Sequence, residues 1–376
     1  MHTILPVENG DTLAAVRGFL RSLLDSGAVE AVFVLMQIAD DSGAVVPALV
    51  TDAALLEKAN PLAPVMPINN ARAVSALTAR QPGGTLAVVL RPCEIRALIE
   101  LVKLQQASLE GVILIGLDCP GTYEVPDYIA LQGSGGFDLN KYLAGGTNGS
   151  EAVVVAPALR PACRMCDQPI PEGTDISLHL FGTTEVIGIP IDLNEAVADK
   201  LGFLPQPQDE TPGRQAAVQQ LIESRRQVRA KELAAVSERL DSDGGLASYF
   251  ATCIRCHNCM TVCPICYCKT CLFKTASFDH PPEHYYNIAR RKGGIRMLGD
   301  TMLFHMTRLN HMSLSCVSCG MCTSACPSEI PVGAIFSAIG AKVQEAFEYK
   351  PGRDVAEALP LITFQPNEWT EVGEKV

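Results

Sequence analysis

The chain has 376 residues, of which 48% are hydrophobic and 19% are charged, so its length suits about two or three domains with sizeable cores. A formal net charge of −11 argues against a nucleic-acid partner, because phosphate binding favours a basic surface. The sequence shows neither a signal peptide nor an uncharged apolar run approaching about 18 residues, so we expect no membrane span. Fifteen cysteines, clustered at metal-ligand spacings in a chain too long to need disulfides, indicate the reducing surroundings of the cytoplasm.

The first elements along the chain are predicted from the period of the apolar residues. A helical period follows an Asp/Thr cap, a nearly continuous apolar run is typical of a buried strand, and a shorter run follows as its hairpin partner. The predicted elements are a helix over residues 11–26, a strand over 31–38, its partner Val45–Val50, a Pro/Asn-rich segment over 60–70 and a helix near 71–80.

From residue 85 onwards short apolar runs alternate with helical patterns, which favours a parallel sheet. A highly charged stretch, residues 214–240, is interpreted as a solvated connecting helix, and the glycines at the end of 241–245 then break the chain. The predicted elements before that helix are a strand over 85–90, a turn over 91–94, a helix over 95–104, a strand over 112–117 and, around a glycine-rich loop and a cysteine pair, strands over 152–156 and 185–190.

Two four-cysteine runs dominate the C-terminal region. They are Cys253-x2-Cys256-x2-Cys259-x3-Cys263-Pro264 and Cys316-x2-Cys319-x2-Cys322-x3-Cys326-Pro327, the spacing of bacterial [4Fe–4S] ferredoxins. Zinc is disfavoured, since paired Cys-x2-Cys knuckles would leave the third cysteine of each run without a role. Because the fourth cysteine of such a run ligates the other cluster, we assign one cubane to Cys253, Cys256, Cys259 and Cys326 and the other to Cys316, Cys319, Cys322 and Cys263.

The segment between the two runs is long. Residues 264–315 separate them, 52 residues in all, with helical patterns over 285–292 and 294–311. A compact β-type ferredoxin has far fewer, so we predict an α-helical ferredoxin domain. Residues 341–376 are interpreted as a peripheral helix and an extended tail.

The predicted fold class is therefore α/β: an N-terminal α/β part followed by an α-helical two-cluster ferredoxin domain. The expected boundaries are residues 1–85 for an N-terminal α/β subdomain, 86–245 for a second α/β domain that ends in the connecting helix, 246–340 for the ferredoxin domain and 341–376 for a C-terminal tail.

Four further cysteines lie upstream, namely Cys93, Cys119, Cys163 and Cys166. Cys93 and Cys119 each follow a predicted parallel strand, and the carboxyl ends of neighbouring parallel strands meet at one sheet edge. Cys163-x2-Cys166 would close over that edge, so we predict a third [4Fe–4S] cluster; the alternative is four separate buried cysteines that act as small hydrophobes. Three cysteines are left over, which either substitute for ligands or pack as thiols near a cluster: Cys266, Cys268 and Cys271.

The segment Arg91-Pro-Cys-Glu-Ile-Arg96 starts a helix directly after a strand. Free backbone N–H groups and two arginines there suit an anionic ligand, and ordinary helix entry with solvated arginines is the alternative. No Gly-x-Gly-x-x-Gly follows a strand, so a conventional dinucleotide fold is not supported.

At Arg91-Pro-Cys-Glu-Ile-Arg-Ala-Leu-Ile-Glu-Leu-Val-Lys103 and Leu114-Ile-Gly-Leu-Asp-Cys-Pro-Gly-Thr-Tyr-Glu124 the chain resembles the coenzyme F420 hydrogenase/dehydrogenase β-subunit family. The likeness covers about residues 5–240. With its double-cluster domain the chain looks like the β-subunit of F420-linked formate dehydrogenase, or like relatives that feed heterodisulfide-reductase complexes. The resemblance implies an FAD beside a [4Fe–4S] cluster, and the four upstream cysteines fall where the family's cluster cysteines lie. Candidates for lining the flavin pocket, matched by segment, are Thr51, Asp52, Pro67, Asn69, Asn70, Arg91, Glu94 and Arg96.

What the resemblance implies is an oxidoreductase subunit whose FAD exchanges a hydride with coenzyme F420 or NAD(P)H. Single electrons would pass through the [4Fe–4S] clusters to or from a partner, either the catalytic subunit of a formate dehydrogenase or hydrogenase, or heterodisulfide-reductase-like subunits. No side chain need act as acid or base, because the cofactor carries the chemistry. The alternative is an electron-transfer module with no substrate turnover of its own.

Overall fold

The computed structural model describes residues 1–38, 43–80, 83–145, 158–182, 188–202, 212–297 and 299–361. The N-terminal half contains a seven-stranded sheet built from β1 His2–Pro6, β2 Ala31–Gln37, β3 Val45–Val50, β4 Leu86–Leu90, β5 Val112–Leu117, β6 Ile176–Leu178 and β7 Gly188–Leu193. The strand order across the sheet is β1-β7-β6-β5-β4-β2-β3.

Helices cover the sheet and form most of the second half of the chain. Those of the first half are α1 Thr12–Asp25, α2 Ala71–Leu77, α3 Pro92–Lys103, α4 Val125–Gly133, α5 Leu139–Gly145, α6 Pro161–Arg164 and α7 Glu195–Leu201. Those of the second half are α8 Pro212–Asp241, α9 Gly245–Tyr249, α10 Asn258–Thr261, α11 Pro282–Lys292, α12 Thr301–Met312, α13 Met321–Ser324 and α14 Val332–Ala346.

The centre of the sheet is parallel, as the alternation of strands and helices predicts. Strands β2, β4, β5 and β6 run parallel, and Leu90 at the end of β4 lies beside Gly116 near the end of β5. Every residue of β4 and β5 is buried, which explains their continuous apolar sequences. The predicted hairpin of β2 with β3 is confirmed as an antiparallel pair.

The edges of the sheet differ from the predictions. The segment predicted as a strand over 152–156 lies outside the described residues. The strand predicted over 185–190 is described only from Gly188; it continues to Leu193 and pairs antiparallel with both β6 and β1. Strands β1 and β6 were not predicted, because five and three residues carry too little periodicity to be recognised.

Helix α3 begins earlier than predicted, at Pro92 instead of residue 95, so the predicted turn is its first turn. Proline suits this position because its fixed φ matches the helix and its missing N–H is not needed there. The Glu94 carboxylate accepts from the Arg91 backbone N–H at 2.9 Å, which closes the helix start. Cys93 is thereby held in the first turn of the helix, directly after β4.

The bounds of two elements predicted for the C-terminal region differ from the structure. The helix predicted over 294–311 starts only at Thr301, and Gly293 ends the preceding helix α11 in a left-handed conformation. The last helix already begins at Val332 and buries Ile335 and Phe336, whereas its residues from 341 to 346 are half-buried or exposed, as a peripheral helix would be. The following residues turn back onto α3, where the Gly352 N–H donates to Glu100 at 2.8 Å and the Tyr349 hydroxyl donates to the same carboxylate.

Alternate residues of the central strands belong to two hydrophobic cores, one on each face of the sheet. Ala87, Val89 and Ile115 pack with α1 on one face of the sheet. Val88 and Leu90 face the other way and belong to a core that continues through α3 and α14 to the cysteine-rich loops. This second core crosses the predicted boundary at residue 245, so the two halves of the chain share buried surface. None of the described helices is long and apolar enough to cross a membrane.

The close approach of Gly352 to α3 can be tested by substitution. Gly352 has a φ of +73°, and an added Cβ would lie 2.4 Å from the Arg96 Cα. We expect Gly352→Ala to lower the free energy of unfolding by about 2 kcal/mol, from backbone strain and displacement of the segment. The matched control is Gly18→Ala, where no atom lies within 4 Å of the added Cβ, and which should be stabilising by about 0.5–1 kcal/mol. Denaturant unfolding measures both; equal midpoints would contradict the expectation.

Candidate functional site

The two cysteine runs adopt the same backbone conformation. The residues two and four positions after the first cysteine have positive φ in both, namely Arg255 and His257 in one run and Ser318 and Gly320 in the other. The short helices α10 and α13 then begin at equivalent positions. Such a turn folds three cysteines around a common centre, as the spacing predicts.

The first run is completed by a cysteine from the second. A cavity is lined by Cys253, Cys256, Cys259 and Cys326, together with His257, Phe304 and His305. Burial raises the pKa of the Cys259 thiol to about 11, although Arg308 opposes the rise, and the thiols of the other three cysteines act on it in the same direction as burial. This grouping is the one that the crossed assignment predicts.

The second run is completed by the last cysteine of the first. Burial raises the pKa of the Cys316 thiol to about 12, and its neighbours include Cys263 and Cys319. Burial likewise raises the pKa of the Cys322 thiol, which lies near Cys263, Cys319 and Cys316. The fourth cysteine of each run therefore sits with the other run, although ligation itself stays a prediction.

The upstream cysteines converge at the carboxyl ends of β4 and β5. Burial raises the pKa of Cys119 to about 12, against the opposing charges of Arg91 and Arg225, and its thiol neighbours are Cys163 and Cys166. Burial also raises the pKa of the Cys93 thiol, which lies near Cys119 and Cys166. The predicted meeting of these cysteines at one sheet edge is therefore observed, and it fits a third cluster better than four separate buried cysteines.

The upstream cysteines also approach the second run. Cys319 is among the groups that raise the pKa of Cys93, after burial and Glu94. Arg160, which is 2% exposed, donates to Thr122 Oγ1 at 3.2 Å, to Ser324 Oγ at 3.0 Å and to the Cys319 carbonyl at 3.1 Å. Thr122 Oγ1 in turn lies 3.2 Å from Cys163 Sγ. One buried guanidinium thus joins the sheet edge to the ferredoxin domain.

Sequence reasoning missed Arg160, as well as two residues of α12 that contact cysteine sulfurs, His305 and Arg308. Arg160 carries a faint signal, since it precedes Pro161 and the Cys163–Cys166 pair, but nothing in the sequence shows that its side chain would reach residue 319. The α12 residues lie between the two runs in a segment with no recognisable motif, so their proximity to the sulfurs depends wholly on tertiary packing.

One of the three surplus cysteines, Cys266, lies beside a member of the second group of four. Cys266 lies near Cys263, Cys268 and Cys271. Cys271 Sγ is 3.5 Å from Met260 Sδ, and Cys268 is exposed. Within the described parts of the chain, no three Cys, His, Asp or Glu side chains are grouped to hold a single metal ion.

The candidate flavin residues are not brought together as one pocket. Thr51 and Asp52 are exposed, and the Asp52 carboxylate caps the short helical turn at Ala53–Lys58. The buried Glu94 carboxylate accepts from the backbone N–H groups of Asn70 and Arg91, so its oxygens are used within the protein.

Two of the remaining candidates lie towards the ferredoxin domain. Burial raises the pKa of Cys319, and Asn69 is among the groups that oppose the rise. Arg96 likewise opposes the rise in the pKa of Cys316 that burial causes. Asn70 begins α2 and Pro67 is half-buried just before it.

Arg91 is the flavin candidate that lines a cavity beside the upstream cysteines. That cavity is also bounded by Asp118, Cys119, Tyr142 and Leu180. The Arg91 guanidinium donates to the Ala63 carbonyl, which holds it at the cavity wall. The Asp118 carboxylate pairs with Arg214 and accepts from the backbone N–H groups of residues 180 and 181. A buried cation at the wall of a cavity suits an anionic group.

Comparison with known proteins identifies the C-terminal region first. The family model described as "4Fe-4S dicluster domain" matches residues 249–330. The F420-dependent formate dehydrogenase subunit beta of Methanocaldococcus jannaschii is 28% identical over 369 residues, covering 90% of this chain and 92% of the relative. The F420-dependent formate dehydrogenase 1 subunit beta of Methanococcus maripaludis is 27% identical over 391 aligned residues, covering 95% of this chain and 94% of the relative.

This chain is similar to the F420-dependent formate dehydrogenase beta subunits. The predicted resemblance is therefore confirmed along nearly the whole length, as is the α/β fold with a C-terminal dicluster ferredoxin domain. A chain of the F420-reducing [NiFe] hydrogenase complex from Methanosarcina barkeri, solved with xenon, is 14% identical and covers 64% of this chain and 89% of its own, with a TM-score of 0.45. A likeness of that size carries no conclusion of its own.

The third group of four cysteines can be tested by its iron content. We expect the chain purified without oxygen to bind about 12 irons, and Cys119→Ser to bind about eight, because one cubane is lost. The matched control is Cys268→Ser, which changes an exposed cysteine outside the three groups and should keep about 12 irons. Iron analysis with electron paramagnetic resonance measures both variants. An undiminished iron content in Cys119→Ser would contradict the third cluster.

Proposed function

We propose that this chain is the cofactor-reducing beta subunit of an oxidoreductase complex. An FAD exchanges a hydride with coenzyme F420 or NAD(P)H, and three [4Fe–4S] clusters relay single electrons to or from a partner. The partner is the catalytic subunit of a formate dehydrogenase or hydrogenase, or a heterodisulfide-reductase-type subunit. The coarser statement, an iron–sulfur electron-transfer subunit, already follows from the dicluster domain and the homologues.

The observation that carries the proposal is the approach of the upstream cysteines to the second cysteine run. Cys93 at the sheet edge interacts with Cys319 of the ferredoxin domain. Three groups of four cysteines thus follow one another from the cavity at Arg91 to the exposed Cys256. Such a series suits a path for electrons from a cofactor at the sheet edge to a partner at the protein surface.

The cofactor would supply the change between two-electron and one-electron chemistry. Arg91 would contribute a buried positive charge at the cavity, held there by the Ala63 carbonyl and by Glu94, 4.0 Å away. Asp118, whose carboxylate pairs with Arg214, would line the same cavity. Both relatives are F420-dependent formate dehydrogenase subunits, which favours coenzyme F420 over a nicotinamide as the carrier.

The chain with its native cofactors should show which carrier it uses. Protein purified without oxygen should have a flavin absorption spectrum that bleaches on addition of reduced coenzyme F420, while NADH leaves it unchanged. Bleaching by NADH and not by reduced coenzyme F420 would support the proposed enzyme with a nicotinamide as its hydride carrier. Iron without flavin, in protein isolated with its partner subunits, would contradict the proposal and leave an electron-transfer module without substrate turnover.

The junction between the upstream cysteines and the second run offers a second test. Gly320 has a φ of +72°, and an added Cβ would lie 2.2 Å from the Ala162 Cβ, next to Cys163. We expect Gly320→Ala to slow reduction of the ferredoxin clusters by the flavin several-fold, because the two loops must move apart. Bound iron and flavin bleaching should be unchanged.

Stopped-flow absorption measures the rate, and a second substitution separates the clash from backbone strain. Gly320→Ala combined with Ala162→Gly removes the clash and leaves the positive φ. It should therefore recover part of the lost rate. A Gly320→Ala variant with an unchanged rate would show that electrons do not pass through this junction.

A further inference from the structure

Helix α12 carries two buried polar side chains that face the cysteine runs. His305 and Arg308 are 1% and 3% exposed, and their spacing of three residues places them side by side on the helix. They belong to the long segment between the two runs. A polar or charged side chain this deeply buried requires partners, and those found here are cysteine groups.

Arg308 contacts the first group and lies close to the second. Its Nη1 donates to Cys259 Sγ at 3.1 Å, and its Nη2 donates to the carbonyl of the same residue at 3.0 Å. The guanidinium stands 4.8 Å from the centre of the Phe336 ring. Cys263 and Cys322, which belong to the second group, also interact with its charge. A single buried cation therefore lies between the two predicted clusters.

His305 contacts the first group through one ring nitrogen. Its Nε2 is 3.3 Å from Cys253 Sγ, and its ring stacks on Phe250 with centres 3.6 Å apart and planes 6° from parallel. His305 also lines the cavity that the four cysteines of this group surround. With its proton on Nε2, the ring would donate a hydrogen bond to Cys253 Sγ.

The remaining polar atoms of the two side chains lack protein partners. In the described parts of the chain, neither Arg308 Nε nor His305 Nδ1 makes a hydrogen bond, although both are buried. A buried donor without an acceptor is costly in a packed protein core. The orphaned Arg308 Nε fits a site whose acceptors are supplied by a sulfur-rich cluster.

We propose that Arg308 and His305 raise the reduction potential of the cluster at Cys253, Cys256, Cys259 and Cys326, and that Arg308 also makes it easier to hold one electron on each ferredoxin cluster. Each cluster takes up one electron, and the two residues neither gain nor lose a proton. Reduction adds a negative charge, which hydrogen bonds to the ligand sulfurs and a nearby cation stabilise. The inference rests on the proposed clusters and deepens the function, because a two-electron carrier then finds two clusters that accept its electrons.

The test is a potentiometric titration of the whole chain, purified without oxygen and followed by electron paramagnetic resonance. At a fixed potential, Arg308→Gln should lower the ratio of reduced to oxidised first cluster about tenfold, equivalent to about 59 mV for a one-electron couple. The fraction of molecules with both ferredoxin clusters reduced, which gives the spin-coupled signal, should fall as well. His305→Phe keeps the ring stack and removes the donor, and should lower the same ratio about threefold, as for loss of one neutral hydrogen bond.

Two control variants remove comparable groups that do not contact a cysteine sulfur. Arg72→Gln removes an exposed positive charge that donates to the Thr261 carbonyl within the first run. His311→Gln changes an exposed histidine on α12 itself. Both should leave the potential unchanged. Arg308→Lys keeps the charge but has no second branch to reach the carbonyl, so its potential should lie between those of the wild type and Arg308→Gln.

The outcomes separate this inference from the function on which it rests. A wild-type chain that binds fewer than about eight irons would overturn the ferredoxin clusters and this inference together. Full iron with an unchanged potential in both Arg308→Lys and His305→Phe would overturn the inference alone. If Arg308→Gln fails to fold, those two variants decide the result, because each retains much of the native packing.

Discussion

The exchange of the fourth cysteine between the two runs is the constraint on which the ferredoxin domain depends. Cys326 lies with the first run and Cys263 with the second, so neither group is complete until both loops are in place. The helices between and after the runs must therefore bring the loops together. Helix α12 does so by placing Arg308 against Cys259, and α14 packs under both loops through Ile335 and Phe336.

The proposed clusters would couple their binding to folding through protonation. Burial raises the pKa of Cys119 and of Cys316 to about 12, so without positive iron nearby both thiols keep their protons at neutral pH. Iron binding would release those protons, and its free energy would become part of the stability of the surrounding loops. The buried guanidiniums beside the cysteines act in the same direction as iron, since each opposes the pKa rise of the thiol that it faces.

The junction between the halves fixes the distance over which electrons would pass. Arg160 joins Thr122 to the Cys319 carbonyl, and Gly320 approaches Ala162 too closely for any side chain at residue 320. From the other side, the residues after α14 fold back so that Gly352 and Tyr349 reach Glu100 on α3. Contacts on both sides of the junction, together with one shared core, leave little freedom for one half to move against the other.

The sequence by itself determined the parts that local chemistry dictates. The spacing of the cysteine runs predicted two four-cysteine turns and the exchange of their last members. The continuous apolar runs of β4 and β5 predicted parallel strands whose ends bring Cys93 and Cys119 together. Both patterns are local, since a few consecutive residues are enough to show the spacing of ligands and the burial of a strand.

Only the tertiary structure decided which distant side chains meet these sulfurs. Arg160, His305 and Arg308 lie in segments without motifs, and their contacts depend on packing between elements far apart in the chain. The flavin candidates illustrate the same limit. Matching by segment grouped residues by their position along the chain, whereas the fold uses Glu94 to close α3, turns Arg96 towards Cys316 and leaves Arg91 at the cavity.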